Sequence, residues 1–302
     1  MKRIQCHWPV GILDIGSNSI RMVIFNGPLD SKPAFNFKVY CFLGRNIDKT
    51  RKLWAPGVSK ATEAITGYYH LSRALGVKTF TAFATAAMRD AKDGGVFIRR
   101  IEKIIGRKVA VISGEQEGHL AAEGVGLSVP GLTGLVCDLG GGSLEIARVR
   151  NGKFLSAATL PLGALRLVAN EKKLAEYIEK YLACLPKEYA SRAPLYMVGG
   201  SFRTLARVHV RMSKKGNKTL QGYAFSAKNL TVLQKKLNKM PAKKLVSAYG
   251  ADVHRAESLP HVAFLAASLM KTLGARKAVI STSGVRDGVL LHLKKFGRLV
   301  SK

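Results

Sequence analysis

Short apolar runs rich in valine and isoleucine alternate along the chain with longer segments whose apolar residues recur every three or four positions. Runs of the first kind suit buried strands and segments of the second suit helices packed on them, so the pattern predicts a layered α/β fold. Strands are expected at residues 11–15, 21–25, 37–42, 79–83, 108–112, 134–138, 144–148, 195–198 and 278–282. Helices are expected at 59–75, 94–106, 116–126, 171–184, 203–212, 227–239 and 259–273. Pro130 and Gly131 interrupt the pattern before a fresh strand, which places a boundary near residues 124–132 and predicts domains 1–124 and 125–302.

Length agrees with that division, since 302 residues supply about two domains of ~150 each. Apolar residues make up 47% and charged residues 23%, a globular composition that argues against general disorder. The charge balance changes the picture more. Forty-nine lysines and arginines against 19 acidic residues give +30, so the surface carries a large positive excess and a polyanionic partner is expected. Cys6, Cys41, Cys137 and Cys184 lie far apart with no CxxC pair, and read as reduced core thiols of a cytosolic chain. The first residues have a basic tip and an apolar stretch, but Asp14 interrupts it, and it reads as a strand rather than a signal peptide. No run approaches the ~20 residues that span a bilayer, so no membrane association is expected.

One internal echo carries chemistry. ILDIGSNSIRMVIF and LVCDLGGGSLEIARV each place an apolar strand ending in Asp before a Gly and Ser turn and a second strand, as duplication of one domain would. In Gly16, Ser17, Asn18 and Ser19, and again in Gly140, Gly141, Gly142 and Ser143, small residues let successive backbone N–H groups point into one concavity. Such a nest binds phosphate, and the hydroxyls add donors. One such loop is most often an ordinary hairpin turn; two, each led by Asp, point to phosphate. The leading carboxylates also suit a hard cation such as magnesium.

Eight segments, DIGSNSIRMVIF, ATAAMRDAKDG, ISGEQEGHLAAEGV, CDLGGGSLEIA, LPLGALRL, MVGGSFRTLARV, HRAESLP and STSGVRDGVLL, occur in the order and spacing that resembles the exopolyphosphatase and guanosine pentaphosphate phosphohydrolase family. That family lies within the actin, Hsp70 and sugar kinase superfamily. The resemblance implies two ribonuclease-H-like (actin-like ATPase) domains with an interdomain cleft, the last helix after Arg286 crossing back onto the first domain. It implies that Glu117 of SGEQEGH is the catalytic carboxylate that orients or deprotonates the attacking water, with Glu115 as the runner-up. Glu117 also stands where a helix start favours an acid for structural reasons alone. The resemblance implies that Asp138 and Glu145 are needed for activity, with Asp14 holding a water, so that the three face one Mg2+ or Mn2+. Arginine forks match phosphate oxygens, so Arg89 and Arg21 are candidate phosphate ligands, Arg21 reading equally well as an exposed strand residue. Arg286 stands at a family position near the cleft, where an ion pair with Asp287 or Glu257 is the rival role. Gly199 and Gly200 occupy the place where superfamily relatives hold adenosine, or else ease helix packing. His119 replaces an arginine common in the family, which would weaken phosphate binding or make it pH-dependent.

Basic runs at Arg211, Lys214, Lys215 and Lys218, at Lys235, Lys236, Lys239, Lys243 and Lys244, and in the C-terminal tail would hold a long anion through many salt-sensitive contacts. The expected activity is therefore magnesium-dependent hydrolysis of terminal phosphoanhydride bonds of inorganic polyphosphate. The alternatives are a guanosine pentaphosphate (pppGpp) 5'-phosphohydrolase and a non-catalytic polyanion binder. No stacking platform or RNA-recognition motif accompanies the basic runs, so nucleic acid is not expected as a specific ligand. A cytoplasmic setting and a homodimer are compatible with this reading. The resemblance implies that larger family members append a helical C-terminal region beyond the stretch matched here.

Overall fold

The computed structural model describes residues 6–27, 32–213, 219–297 and 299. The chain divides into two compact units, one made of Met1–Glu117 with Gly288–Lys302 and the other of Gly118–Asp287. The division falls seven residues before the 124/125 position expected from Pro130 and Gly131, inside the helix α5 (Gly114–Ser128) rather than in a loop.

In the first unit, β1 (Val10–Ile15), β2 (Ser19–Phe25), β3 (Phe35–Tyr40), β4 (Thr79–Ala84) and β5 (Val109–Val111) form one sheet in the order β3-β2-β1-β4-β5. The first three strands are antiparallel and β4 and β5 run parallel to β1. The connections are α1 (Ile47–Thr50), α2 (Ala55–Ala74), α3 (Ala86–Asp90) and α4 (Gly94–Ile105). One sheet face alternates Leu13, Ile15, Ile20, Met22, Ile24, Ala82 and Ala84, and it packs with Ala61 and Ile65 of α2 and Phe97, Ile101 and Ile105 of α4. Alternation decides function here: if Leu13 and Ile15 face the core, Asp14 faces the other side.

The second unit repeats the plan. Its strands are β6 (Gly134–Leu139), β7 (Leu144–Arg150), β8 (Lys153–Leu160), β9 (Leu195–Val198), β10 (Ala224–Phe225) and β11 (Ala278–Ile280), ordered β10-β11-β9-β6-β7-β8. Substituting β6, β7, β8, β9 and β11 for β1 to β5 reproduces the first sheet's order and directions, with β10 as an added edge. This is the ribonuclease-H-like arrangement, present twice. The helices are α6 (Ala164–Ala169), α7 (Leu174–Leu182), α8 (Gly200–Met212), α9 (Ala227–Leu237), α10 (Ala242–Tyr249), α11 (Leu259–Leu273) and α12 (Val285–Phe296), the last running past the unit's end at Asp287. Leu259, Val262, Ala263, Leu265, Ala266 and Leu269 make α11 apolar around most of its circumference, as its burial within the main core requires.

The expected 37–42 strand lies two residues earlier, at Phe35–Tyr40. Cys41 and Phe42 leave the ladder because both N–H groups donate to the Asn18 carbonyl, and Phe42 turns to φ 54°. The edge strand β8 escapes the hydrophobic pattern because its run KFLSAATL is rich in small residues. The expected 171–184 helix splits into a 3-10 turn, Glu171–Lys173, and α7. Of the four thiols read as core residues, Cys41 and Cys137 are buried, whereas Cys6 is half-buried and Cys184 exposed. Among the described residues no helix is long and apolar enough to cross a membrane.

Gly67 lies in the middle of α2 with open space where a Cβ would stand. Glycine there costs helix entropy with no packing return, so Gly67→Ala is expected to stabilise the protein by roughly 0.5–1 kcal/mol, read as a higher urea midpoint at unchanged slope.

Candidate active site

The two echoed segments fold as hairpins with one shared turn. The Gly16 N–H donates to the Ser19 carbonyl at 3.1 Å, and the Gly140 N–H donates to the Ser143 carbonyl at 3.0 Å. In each loop neighbouring backbone holds the carbonyls. The Ser17 oxygen accepts from Gly44 and the Asn18 oxygen from Cys41 and Phe42; the Gly140 and Gly141 oxygens accept from Ala164 and Leu165 at the start of α6. In a trans peptide the C=O of one residue is antiparallel to the N–H of the next. The N–H groups of Asn18 and Ser19, and of Gly141 and Gly142, therefore point away from those partners, giving two donors on one side of each loop. The buried Ser17 hydroxyl accepts from the Ala87 N–H at 3.0 Å, tying the first loop to α3. The Asn18 side-chain oxygen is buried without a hydrogen-bond partner, so a turned amide would offer its NH2 group to an anion at no cost.

Glu117 sits four residues past a reciprocal cap. The Ser113 N–H donates to Gln116 Oε1 at 2.8 Å and the Gln116 N–H to Ser113 Oγ at 3.1 Å, which fixes where α5 begins. One turn in, Glu117 is only 7% exposed, and Arg89 Nη1 donates both to its Oε2 at 2.9 Å and to the Ile112 carbonyl at 2.8 Å. Arg89, expected as a phosphate ligand, here holds the carboxylate in place. Glu115, two residues back, is exposed. Of the two, Glu117 is therefore the carboxylate whose rotamer is held by a partner, and Glu115 the exposed one.

Asp138 and Glu145 are register partners across β6 and β7, so both project from one face of the sheet. Glu145 is fully buried and Asp138 half-buried. Glycines flank Asp138: a Cβ on Gly199 would lie 3.2 Å from Asp138 Oδ1 and only 2.5 Å from the Leu139 carbonyl, and one on Gly284 would lie 3.9 Å from Oδ2. Gly199 has φ 106°, which side chains rarely adopt, so glycine is required there. Among the described residues no three His, Cys, Asp or Glu side chains gather into a ready metal cage. Magnesium needs none. It binds through one or two carboxylates and keeps its waters, which two hard oxygen donors on one sheet face fit. Asp14 is the register partner of Arg21 in the first unit.

Near Asp138 stand Arg203 and Arg255, which the sequence reading did not single out, with Arg286, which it did. Arg203, three residues into α8, is half-buried, and its ordinary pKa is pushed down to about 10 by burial, then by the neighbouring guanidinium groups of Arg286 and Arg255; Asp138 and Asp287 oppose the shift. It is thus charged at neutral pH. The Arg255 guanidinium crowds Gly200, where a Cβ would meet it at 2.4 Å, and Nη1 donates to Asp252 at 2.8 Å. The three guanidinium groups are thus interleaved with the carboxylates of Asp138, Asp252 and Asp287, Arg255 being paired with Asp252. Their sequence signal was weak, because the glycine pair marks the turn but nothing local separates an inward Arg203 from the outward arginines of α8.

Arg21 is half-buried on β2 and donates through Nε to Asn36 Oδ1 at 2.7 Å. His119 stacks on Phe154 with centroids 4.2 Å apart, so packing occupies the ring that replaces the family arginine. Asp287 accepts from the Gly284 N–H at 2.8 Å. Lys235, Lys236, Lys239, Lys243 and Lys244 are exposed on and between α9 and α10, whereas Lys214, Lys215 and Lys218 lie outside the described residues.

Comparisons with known proteins converge on one family. Residues 34–295 match the profile of the Ppx/GppA phosphatase family. The chain is 25% identical over 303 residues to exopolyphosphatase 1 of Mycobacterium tuberculosis, covering 94% of this chain and 87% of that protein. It is 31% identical to the guanosine-5'-triphosphate,3'-diphosphate pyrophosphatase of Pseudoalteromonas translucida over 175 residues, 56% of this chain and 33% of that one. The crystal structure of an exopolyphosphatase from Cytophaga hutchinsonii superposes with a TM-score of 0.86 at 23% identity, covering 97% of this chain and 99% of that one.

Proposed function

The chain belongs to the Ppx/GppA phosphatase family, and from that premise we propose that it is an exopolyphosphatase, a phosphoanhydride hydrolase that releases orthophosphate from the end of inorganic polyphosphate. The observation that carries this reading is Glu117, buried and held by Arg89 in the same unit as the Gly16–Ser19 loop. Glu117 takes a proton from water as the water oxygen attacks the terminal phosphorus. The bond from that phosphorus to the bridging oxygen breaks, and the shortened chain leaves with the bridging oxygen. Backbone N–H groups of the Gly16–Ser19 loop, fixed before reaction, are the donors offered to phosphate oxygens that bear the shifting charge, and the Gly140–Ser143 loop repeats that donor geometry in the second unit.

Asp138 and Glu145 are the residues that would hold magnesium or manganese, and the ion would neutralise phosphate oxygens when bound. The same reading sets the enzyme in the cytoplasm. The exposed lysines of α9 and α10 and the +30 charge favour a long polyanion over a nucleotide. A specific observation supports pppGpp as the second substrate: over 56% of its length the chain is 31% identical to the Pseudoalteromonas enzyme.

The test is orthophosphate release from long-chain polyphosphate, pppGpp and ATP run in parallel, in magnesium and then in EDTA. Release from polyphosphate is expected in magnesium and abolished by EDTA. Raising salt from 50 to 200 mM should cost roughly tenfold in kcat/KM if about two charge contacts hold the chain. A higher kcat/KM on pppGpp would transfer the assignment to that substrate, and tight polyphosphate binding without any release would make the protein a binder.

A further inference from the structure

Arg21 is not the end of the charged row on the first sheet. Register pairs Asp14 of β1 with Arg21 of β2, and Arg21 with Lys38 of β3, so the three side chains stand side by side on one face. Ser19, which closes the phosphate loop, is paired with Tyr40, two residues on from Lys38 and therefore on the same face. Asn36, on that face too, accepts from Arg21. The opposite face of β3 carries Phe37 and Val39, which pack on the core. The row is thus the polar side of a strand whose other side is committed to folding.

Lys38 does not extend into water. It is half-buried, its ammonium lies 3.7 Å from the centroid of the Tyr40 ring, and it donates to the Tyr40 hydroxyl. Holding a lysine this way costs rotamer freedom that a solvated surface lysine keeps. The row carries two cations against the single carboxylate of Asp14, a surplus of one positive charge beside loop N–H groups that already suit phosphate. β3 is also the edge of its sheet, so no further strand follows the row.

We propose that Lys38 and Tyr40, with Arg21, form an anion subsite that binds the phosphate groups following the one held by the Gly16–Ser19 loop, and so set the preference for condensed phosphates of three or more units. The subsite rests on the hydrolase reading above. Lys38 lies two strand spacings from β1, roughly 10 Å, which its flexible stem partly closes, so it addresses phosphates beyond the reacting one. Tyr40 donates its hydroxyl to a bridging or terminal oxygen once Lys38 turns to the anion.

Steady-state kinetics on tripolyphosphate, long-chain polyphosphate and pppGpp, with calorimetric titration of tripolyphosphate in EDTA, tests this in the full chain. Lys38→Gln should raise KM for tripolyphosphate about tenfold or more with a smaller change in kcat, weaken tripolyphosphate binding by a similar factor, and leave Tm within a few degrees. Tyr40→Phe should give a milder shift of the same kind, and Lys38→Arg should restore most of the binding. Removal of one charge from exposed Lys103 on α4 is the control and should leave KM unchanged. A rise confined to polyphosphates assigns the subsite to the chain, and an equal rise on pppGpp assigns it to the shared 5'-triphosphate. Unchanged KM and unchanged tripolyphosphate binding in Lys38→Gln would overturn the proposal. If the wild-type chain hydrolyses none of the three substrates, the hydrolase reading fails instead, and the binding titration alone decides the subsite.

Discussion

Replacing Glu117 by Gln is expected to lower kcat for orthophosphate release by about 10²–10⁴, the range spanned by loss of a positioned general base, while KM changes little. The amide keeps the size of the side chain and can still accept from Arg89, so the fold should survive. What is lost is the charge in a pair whose side chains are 19% and 9% exposed, worth roughly 1–3 kcal/mol as a charge-assisted hydrogen bond. Thermal unfolding of the purified variant separates the two effects: a catalytic loss far larger than the stability loss belongs to the chemistry. Glu115→Gln is the companion. Its carboxylate is exposed, so near-normal turnover is expected. Activity retained by Glu117→Gln and lost by Glu115→Gln would reverse the roles.

That contrast also indicates what a sequence can disclose about this molecule. The tandem Asp-led loops were legible because they depend on local chemistry, on small residues that permit a nest and on flanking apolar runs that make a hairpin. Duplication of one fold was legible from the same echo, the strand order itself was not, and Asp138 and Glu145 share a face because a tight turn between two strands leaves few registers. The role of Arg89 was only half visible. Its position after a strand suggested phosphate, but the bond that decides its present role crosses 28 residues, from α3 to α5, and no local pattern encodes it. Arg286 was named from its own segment, but its nearness to Arg203 and Arg255 was hidden for the same reason, since the three are far apart in sequence and come near one another only when β9, β11 and the helices beyond them are assembled. Small edge strands escaped as well: β8 carries alanine and serine where a central strand would carry valine.

Gly163→Ala should be nearly as damaging as loss of Glu117, by a different route. Gly163 precedes α6 with φ −66° and ψ 156°, a conformation that alanine adopts freely, so the backbone itself does not demand glycine. The demand is steric. A Cβ there would lie 2.3 Å from the Gly142 carbonyl carbon, 2.4 Å from the Gly141 oxygen and 2.4 Å from the Ser143 nitrogen, all backbone atoms that cannot rotate aside. Either α6 retreats, losing the bonds from Ala164 and Leu165 that hold the Gly140 and Gly141 carbonyls, or the loop itself moves. Both displace the N–H groups aimed at phosphate. Misplacement of about 1 Å in a preorganised site can cost ~10²-fold, so kcat/KM on polyphosphate is expected to fall by about that factor, with overpacking lowering stability by roughly 1–3 kcal/mol. Gly67→Ala, which meets no atom within 4 Å, is the matched control and should leave kcat/KM unchanged. Near-normal kcat/KM in folded Gly163→Ala would mean that the Gly140–Ser143 loop does not cradle the reacting phosphate, and the anion-binding role in the second unit would then pass to the arginines around Asp138.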